Sequence, residues 1–295
     1  MLAFLNGCFL PYSDLHIPPH DAGFVFGATV TDFCRTYAHR LFRWPDHLAR
    51  LRRDCNVCAI PLPYSDADLT AAVEHLVREN TQPLAPDDDL ALITFATPGP
   101  LGYMAGGSDT GPPTLAMHTF PLPKERYRRF FTEGVVLEQT GSLPAAAFPS
   151  PDLKHRSRIH WWVAGRQASA GHVAVLLSDQ LAPDTAVGGV LAVRDGAIER
   201  PADGVLESVS VKVVAELAAK VGVEVRTREH WPEDPSADGI SEMLLAGTAF
   251  GVAGVKAYLH PEGDVEFPWP GPVFTKLTAA WSELVGVDVV KQFTG

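Results

Sequence analysis

Leu153-Lys154-His155-Arg156-Ser157-Arg158 is the stretch on which the reading of this chain turns. It follows an apolar approach, Ala145-Ala146-Ala147-Phe148-Pro149-Ser150-Pro151-Asp152, so a single lysine sits between apolar residues and a tight basic cluster. Nearby cations and loss of water both lower a lysine's pKa, which favours the neutral amine that attacks a carbonyl. The chain has seven lysines. Lys212, Lys220 and Lys276 fall on expected helices, where a lysine ordinarily covers a solvated face. On these residues alone, the segment around Lys154 reads more simply as a basic surface turn.

The whole chain bounds the answer further. Its 295 residues and 46% hydrophobic content suffice for two domains of ordinary size. The formal net charge is −11, and the richest basic stretch is only Lys124-Glu125-Arg126-Tyr127-Arg128-Arg129. A nucleic-acid partner is therefore not expected, and a small-molecule substrate is. No run reaches the ~20 apolar residues of a membrane span. Met1–Gly7 lacks the basic and apolar regions of a secretory signal, so a cytoplasmic enzyme is the expectation. Cys55-Asn56-Val57-Cys58 has the spacing of a metal or redox pair, but no second pair completes it. The apolar stripe Leu48, Leu51, Cys55, Cys58 reads as packing on a helix. His155 and His160 lack a carboxylate or cysteine at ligand spacing, and no metal is expected.

Outward from Lys154 the pattern is α/β. Strands are expected over Phe4–Phe9, Val30–Tyr37, Leu90–Thr97, Thr114–Phe120, Gly134–Gln139, His172–Ser178, Val190–Val193, Met243–Leu245 and Ala253–Tyr258. Helices are expected from an Asp46 cap to Cys58, from Ser65, over Ser157–Ala170, over Val209–Val221 and from Pro272 to Leu284. Pro121-Leu122-Pro123 breaks both helix and sheet. It places a linker at 121–128 between an N-terminal domain, 1–120, and a C-terminal domain, 129–295. The glycines of Gly99–Pro113 follow a strand with no helix after them, so that stretch reads as a loop beside the substrate rather than a phosphate loop.

The lysine segment resembles that of the class IV, fold type IV, aminotransferases, which include branched-chain and D-amino-acid aminotransferases and aminodeoxychorismate lyase. Other stretches resemble the family's patterns in the same order. They are Asp21–Gly27 ("DRGYxFGDG"), His47–Leu51 ("HLxRL"), Ala182–Val193 ("VTExxxxNxFxV"), Val205–Ser210 ("VLxGITR") and Ser241–Ala249 ("DExFxTGT"). The resemblance implies a two-domain α/β fold, with a smaller N-terminal α/β domain and a larger C-terminal mixed-sheet pseudo-barrel. It implies pyridoxal 5′-phosphate held as a Schiff base on Lys154, with Lys154 also moving the proton. It places Arg50, Ser208, Val209, Ser210 and Thr248 at the cofactor phosphate and Asp184, one methylene shorter than the family's glutamate, at the pyridine nitrogen. Helix N-termini and arginine forks both suit phosphate.

The substrate half departs from the pattern. The family's "TRG" is Thr97-Pro98-Gly99 here, and Thr31 and Asp32 occupy the strand after the glycine turn. Thr31, Arg35, Thr97, Arg156 and Arg158 are the candidates for substrate contact. The resemblance implies an aminotransferase acting between an amino acid or primary amine and a keto acid. Alternatives are a lyase, which Lys154-His155 and Arg158 suit, and a cofactor-binding protein with altered catalysis. A homodimer is implied by the family, not by the residues.

Overall fold

The computed structural model describes residues 1–107, 111–143, 152–178, 181–231 and 239–295. The chain forms two compact units. One is Met1–Leu122 joined by Leu153–Ser157; the other is Pro123–Asp152 joined by Arg158–Gly295.

In the first unit, β1 (Leu2–Leu5) and β2 (Cys8–Pro11) form a hairpin over Asn6-Gly7. Both turn residues have positive φ, 49° and 92°, as the tight two-residue turn requires. This corrects the expected single strand Phe4–Phe9. Helix α1 (Ala22–Val25) is capped by the Asp21 carboxylate, which accepts the Gly23 N–H at 2.7 Å. Strands β3 (Val30–Tyr37) and β4 (Arg40–Leu41) flank a second turn at Ala38-His39. Helix α2 (Trp44–Val57) starts from Arg43 in a left-handed conformation, and Asp46 lies in its first turn rather than at its cap. Helix α3 (Asp66–Thr81) begins with a reciprocal capping box between Ser65 and Asp68. Strands β5 (Leu90–Thr97) and β6 (Thr114–Pro121) complete an antiparallel sheet of order β2-β1-β6-β5-β3-β4. Alternation sends Phe4, Val30, Cys34, Leu92, Ala96, Leu115 and Met117 to one face. There they pack with Leu48, Leu51 and Cys55 of α2 and with Leu69, Val73 and Leu76 of α3. Cys55 is buried and Cys58 packs against the same cluster, both as free thiols.

The second unit begins with helix α4 (Lys124–Thr132), which occupies most of the stretch expected as a linker and buries Tyr127, Phe130 and Phe131. Then come β7 (Val135–Ser142), α5 (Ile159–Gln167), β8 (Val173–Leu177), β9 (Pro183–Thr185), β10 (Gly189–Arg194) and β11 (Ala197–Pro201). After these follow α6 (Val209–Lys220), β12 (Val225–Arg228), β13 (Ile240–Gly247), β14 (Gly251–Leu259), β15 (Val265–Glu266), α7 (Pro272–Val285) and α8 (Val289–Thr294). Helix α5 starts two residues later than expected, at Ile159. Six strands close into a ring, β10-β13-β14-β7-β8-β9 and back to β10 through Gly189 opposite Asp184. The β14-β7 and β7-β8 pairs are parallel and the others antiparallel. Closure removes exposed edges from the ring.

Glu242 ties this ring to α7. Its buried carboxylate accepts the N–H groups of Val273 at 2.9 Å and Phe274 at 3.2 Å, in the first turn of the helix. A Cβ at residue 271 would lie 2.0 Å from its Oε2, so only glycine fits beside it. Replacing Glu242 with Ala orphans two buried donors and is expected to cost about 2–4 kcal/mol, read as a lowered unfolding midpoint. An unchanged midpoint would refute this account of the α7 cap.

Candidate active site

The lysine segment is not a surface turn. His155 forms an antiparallel bridge with Val30 at the start of β3. The Thr31 N–H donates to the Lys154 carbonyl at 2.9 Å, and the Arg156 N–H donates to the Thr29 carbonyl at 2.9 Å. Ser157 Oγ donates to the Gly27 carbonyl at 2.6 Å. A Cβ on Gly27, whose φ is +66°, would come within 2.6 Å of that hydroxyl. This explains the glycine that closes the Asp21–Gly27 turn. The Lys154 N–H, finally, donates to Oδ2 of Asp54 on α2 at 2.9 Å. Asp54 is fully buried, and burial raises its pKa against the opposing pull of these donors. Lys154 itself is half-buried behind the buried Leu153. The apolar approach, residues 144–151, lies outside the described residues.

Beside this segment α2 brings a charged cluster into the interior. Arg50 is buried and points inward, as its place in the motif implied. Its Nε donates to Asp32 Oδ2 at 2.8 Å and its Nη2 to Oδ1 at 3.0 Å. His47 Nδ1 meets Asp32 Oδ1 at 2.7 Å. Burial acts to raise Asp32, but Arg50 and then His47 outweigh it and hold the carboxyl well below the usual range. Burial lowers His47 against the pull of Asp32, and the charges of Arg50 and Lys154 lower it further.

The expected substrate residues are distributed differently from one another. Thr31 Oγ1 donates to the Thr94 carbonyl at 3.1 Å and receives Arg156 Nε at 3.4 Å. Thr97 is buried and its hydroxyl accepts the Gly99 N–H at 3.1 Å, so it shapes the turn that follows β5. Arg35 is corrected: it is fully buried, donates to the Thr36 carbonyl, pairs with Asp89 at 3.4 Å and stacks 3.7 Å from the Tyr37 ring centroid. It is a core ion pair, not a substrate contact. Arg156 is exposed, with its Cζ 4.6 Å from the Phe95 ring centroid.

The second unit gathers the remaining candidates at one end of its ring. Asp184 lies in β9 opposite Gly189, and its Oδ1 accepts the Thr185 N–H at 2.8 Å. Arg158 donates to the Ala186 carbonyl at 2.8 Å; burial lowers its pKa, and the Asp184 charge works the other way. Ser208 is the N-cap of α6 with no side-chain cap bond, and Val209 and Ser210 are its first, buried, residues. Thr248 sits in the turn between β13 and β14. Glycines hold these pieces close. A Cβ on Gly189 would meet Val211 Cγ2 at 3.1 Å and Ser208 Cβ at 3.9 Å. One on Gly188 would strike the Ala246 carbonyl at 2.6 Å, and one on Gly247 the Val187 carbonyl at 2.4 Å. Asp184, the start of α6 and the Thr248 turn thus converge around a backbone cradle. It combines a helix N-terminus, hydroxyls and a carboxylate, the donor set that a phosphate joined to a protonated ring nitrogen requires.

The family model for amino-transferase class IV matches residues 29–258. The chain belongs to the class IV aminotransferases. Among curated members it is similar to the D-alanine aminotransferase of Bacillus licheniformis, 29% identical over 124 residues, which is 42% of each chain. A second relative is the D-alanine aminotransferase of Staphylococcus aureus, 34% identical over 77 residues, or 26% of this chain and 27% of that one. The matched stretches therefore span less than half the length of these relatives. In fold it is similar to the branched-chain amino acid aminotransferase of Escherichia coli, with TM-score 0.84 and 18% identity over 96% of this chain and 94% of that one. It is also similar to a hypothetical aminotransferase from Mycobacterium tuberculosis in its α-ketoglutarate- and PMP-bound form, with TM-score 0.79 and 20% identity over 99% of both. This is the fold type IV architecture that the resemblance implied.

Sequence reasoning missed three members of this class IV site: Asp32, His47 as a charge partner, and Asp54. Asp32 carried a signal, since an acid on the helix-facing side of a buried strand needs a cation. Arg50, three residues after His47 on one helix face, supplies it. Asp32→Asn leaves Arg50 buried without its counter-charge and is expected to destabilise the protein by about 3–5 kcal/mol. Because the folded carboxyl lies below its unfolded value, the native pair stabilises above the ordinary aspartate range and loses that stabilisation as pH falls. The variant's stability should therefore fall less steeply than the parent's below pH ~4. Parallel acid profiles of the two proteins would contradict it.

Proposed function

We propose that this protein is a pyridoxal-phosphate-dependent aminotransferase that moves an amino group between an amino acid or primary amine and a keto acid. The observation that carries the reading is the pinned lysine segment: one half-buried lysine, bonded through its backbone to Asp54 and β3, in a chain of this family. The relatives named above are aminotransferases, which favours transfer over the lyase reaction. The cofactor class follows from a solved Thermus structure of this fold complexed with N-(5′-phosphopyridoxyl)-L-glutamate.

Ser208, Val209, Ser210 and Thr248 would hold the phosphate, through hydroxyls and the first N–H groups of α6. Arg50 would add a cation braced by Asp32, with its remaining donors serving the phosphate. Asp184 would keep the ring nitrogen protonated. When bound, the cofactor supplies an electron-withdrawing ring that takes up the charge released at the substrate carbon. Lys154 Nζ is the base that takes the proton from the substrate's α-carbon and the acid that returns one. Asp54 fixes the lysine backbone so that this amine acts from a defined position. The family pattern adds a cytoplasmic homodimer, which sedimentation would measure.

The holoprotein is expected to be yellow, and borohydride should fix the cofactor on Lys154. An amino donor should bleach the band, and a keto acid should restore it. Lys154→Ala should abolish the borohydride adduct and lower turnover by about 10²–10⁴-fold. A colourless protein that takes up no pyridoxal phosphate overturns the proposal. A holoprotein that releases pyruvate and aminobenzoate from aminodeoxychorismate, but transfers no amino group, establishes the lyase instead.

A further inference from the structure

The face of the small sheet opposite α2 and α3 has a chemistry of its own. Strand alternation puts Thr31 and Phe33 of β3, Ile93 and Phe95 of β5, and His118 and Phe120 of β6 on that side. They lie in register: Thr31 opposite Phe95, Phe33 opposite Ile93, and Ile93 opposite His118. Phe33, Ile93, His118 and Phe120 are partly exposed. Their rings form a continuous surface, with Phe33 6.4 Å and His118 6.1 Å from Phe120, and Tyr12 5.3 Å from His118. These strand positions include no carboxylate.

His118 belongs to this surface as an aromatic, not as a cation. Burial, and then the charge of Arg156, push its pKa down to about 4, so it is neutral at pH 7. Its Nδ1 is buried with no hydrogen-bond partner among the described residues. The cation of the face is Arg156. Its guanidinium lies over Phe95 and reaches Thr31 Oγ1, while the Thr31 N–H holds the carbonyl of Lys154. One threonine therefore sets the arginine fork and the lysine together. The other arginine on these strands, Arg35, is committed to Asp89 and Thr36.

We propose that Arg156 is the carboxylate-binding residue of this enzyme, and that Phe33, His118 and Phe120 form the surface for an aromatic side chain. The substrate class is thus an aromatic 2-amino acid and its 2-oxo acid. The inference rests on the aminotransferase reading and gives it a substrate. A guanidinium held over a ring keeps its planar fork in one orientation, which suits a bidentate carboxylate. Thr97-Pro98-Gly99 offers no such fork. A second carboxylate on the substrate would meet no second cation on this face, and a basic side chain would meet no acid. An aromatic ring meets rings, gaining both apolar burial and edge or offset contacts.

The test compares the holoprotein with its Arg156→Gln and Arg156→Lys variants. Calorimetry measures binding of 3-phenylpropanoate, an unreactive carboxylate, and kinetics compare both enantiomers of phenylalanine with 2-phenylethylamine, which has no carboxylate. Arg156→Gln is expected to weaken 3-phenylpropanoate about 10- to 100-fold and to lower kcat/KM for phenylalanine alike through KM. Activity with 2-phenylethylamine should be unchanged. Arg156→Lys, which keeps the charge but not the fork, should fall between. Unaltered 3-phenylpropanoate binding in Arg156→Gln overturns the inference, as does an equal loss with acid and amine. Tighter binding of glutarate than of 3-phenylpropanoate by the parent overturns the aromatic class. If the parent transfers no amino group from any donor, the aminotransferase reading fails, and the calorimetric comparison still decides the carboxylate site.

Discussion

The bond from the Lys154 N–H to the buried Asp54 carboxylate is the constraint on which the smaller unit's chemistry depends. An extended segment on a sheet edge normally holds its place by ladder bonds alone, and here the ladder is one bridge long. Two flanking main-chain bonds and the Ser157 hydroxyl help, but each is individually worth only about 1 kcal/mol. A charged acceptor fixed in α2 adds a stronger bond at the residue whose position matters most. Asp54 is placed in turn by the packing of Leu51 and Cys55 on the same helix, both fully buried. The apolar stripe that the sequence shows as core is therefore also what aims the lysine.

Much of this was legible before any coordinates. Leu90–Thr97 is a strand with those bounds, because an uninterrupted apolar run ends at Pro98 and begins after a run of aspartates. Ser65 and Asp68 signal the start of α3, because a hydroxyl and an acid three residues apart cap each other's donors. The Asp195-Gly196 hairpin is equally plain. Other elements were hidden for physical reasons. Helix α4 lies between two prolines and a glutamate-glycine stop, and its many charges mask three buried aromatics at helical spacing. Asn6-Gly7 is a strong turn signal, but apolar residues on both sides let it read as the middle of one strand.

The site was legible to different depths. Residues on continuous motifs, Lys154, Arg50, Asp184, Ser208 and Thr248, could be marked by order and spacing. Residues whose roles depend on a distant partner could not. Arg35 looks like any strand arginine until Asp89, far along the chain, is seen beside it. Asp54 looks like a helix-surface acid until residue 154 returns to it. Burial decides these cases, and burial is a property of the fold rather than of a local window.

That return has a consequence for how the protein comes into being. The smaller unit is discontinuous: the chain leaves it at Leu122 and supplies its lysine segment only at Leu153–Ser157. During synthesis the first 122 residues can collapse as soon as they emerge, yet Asp54 stays buried without its partner until some thirty further residues have followed. A fragment ending at the apparent boundary would thus be a core without its lysine. Any gene fusion or truncation that treats the smaller unit as a separable module removes the reactive residue from it, so the two units are bound to be inherited as one reading frame.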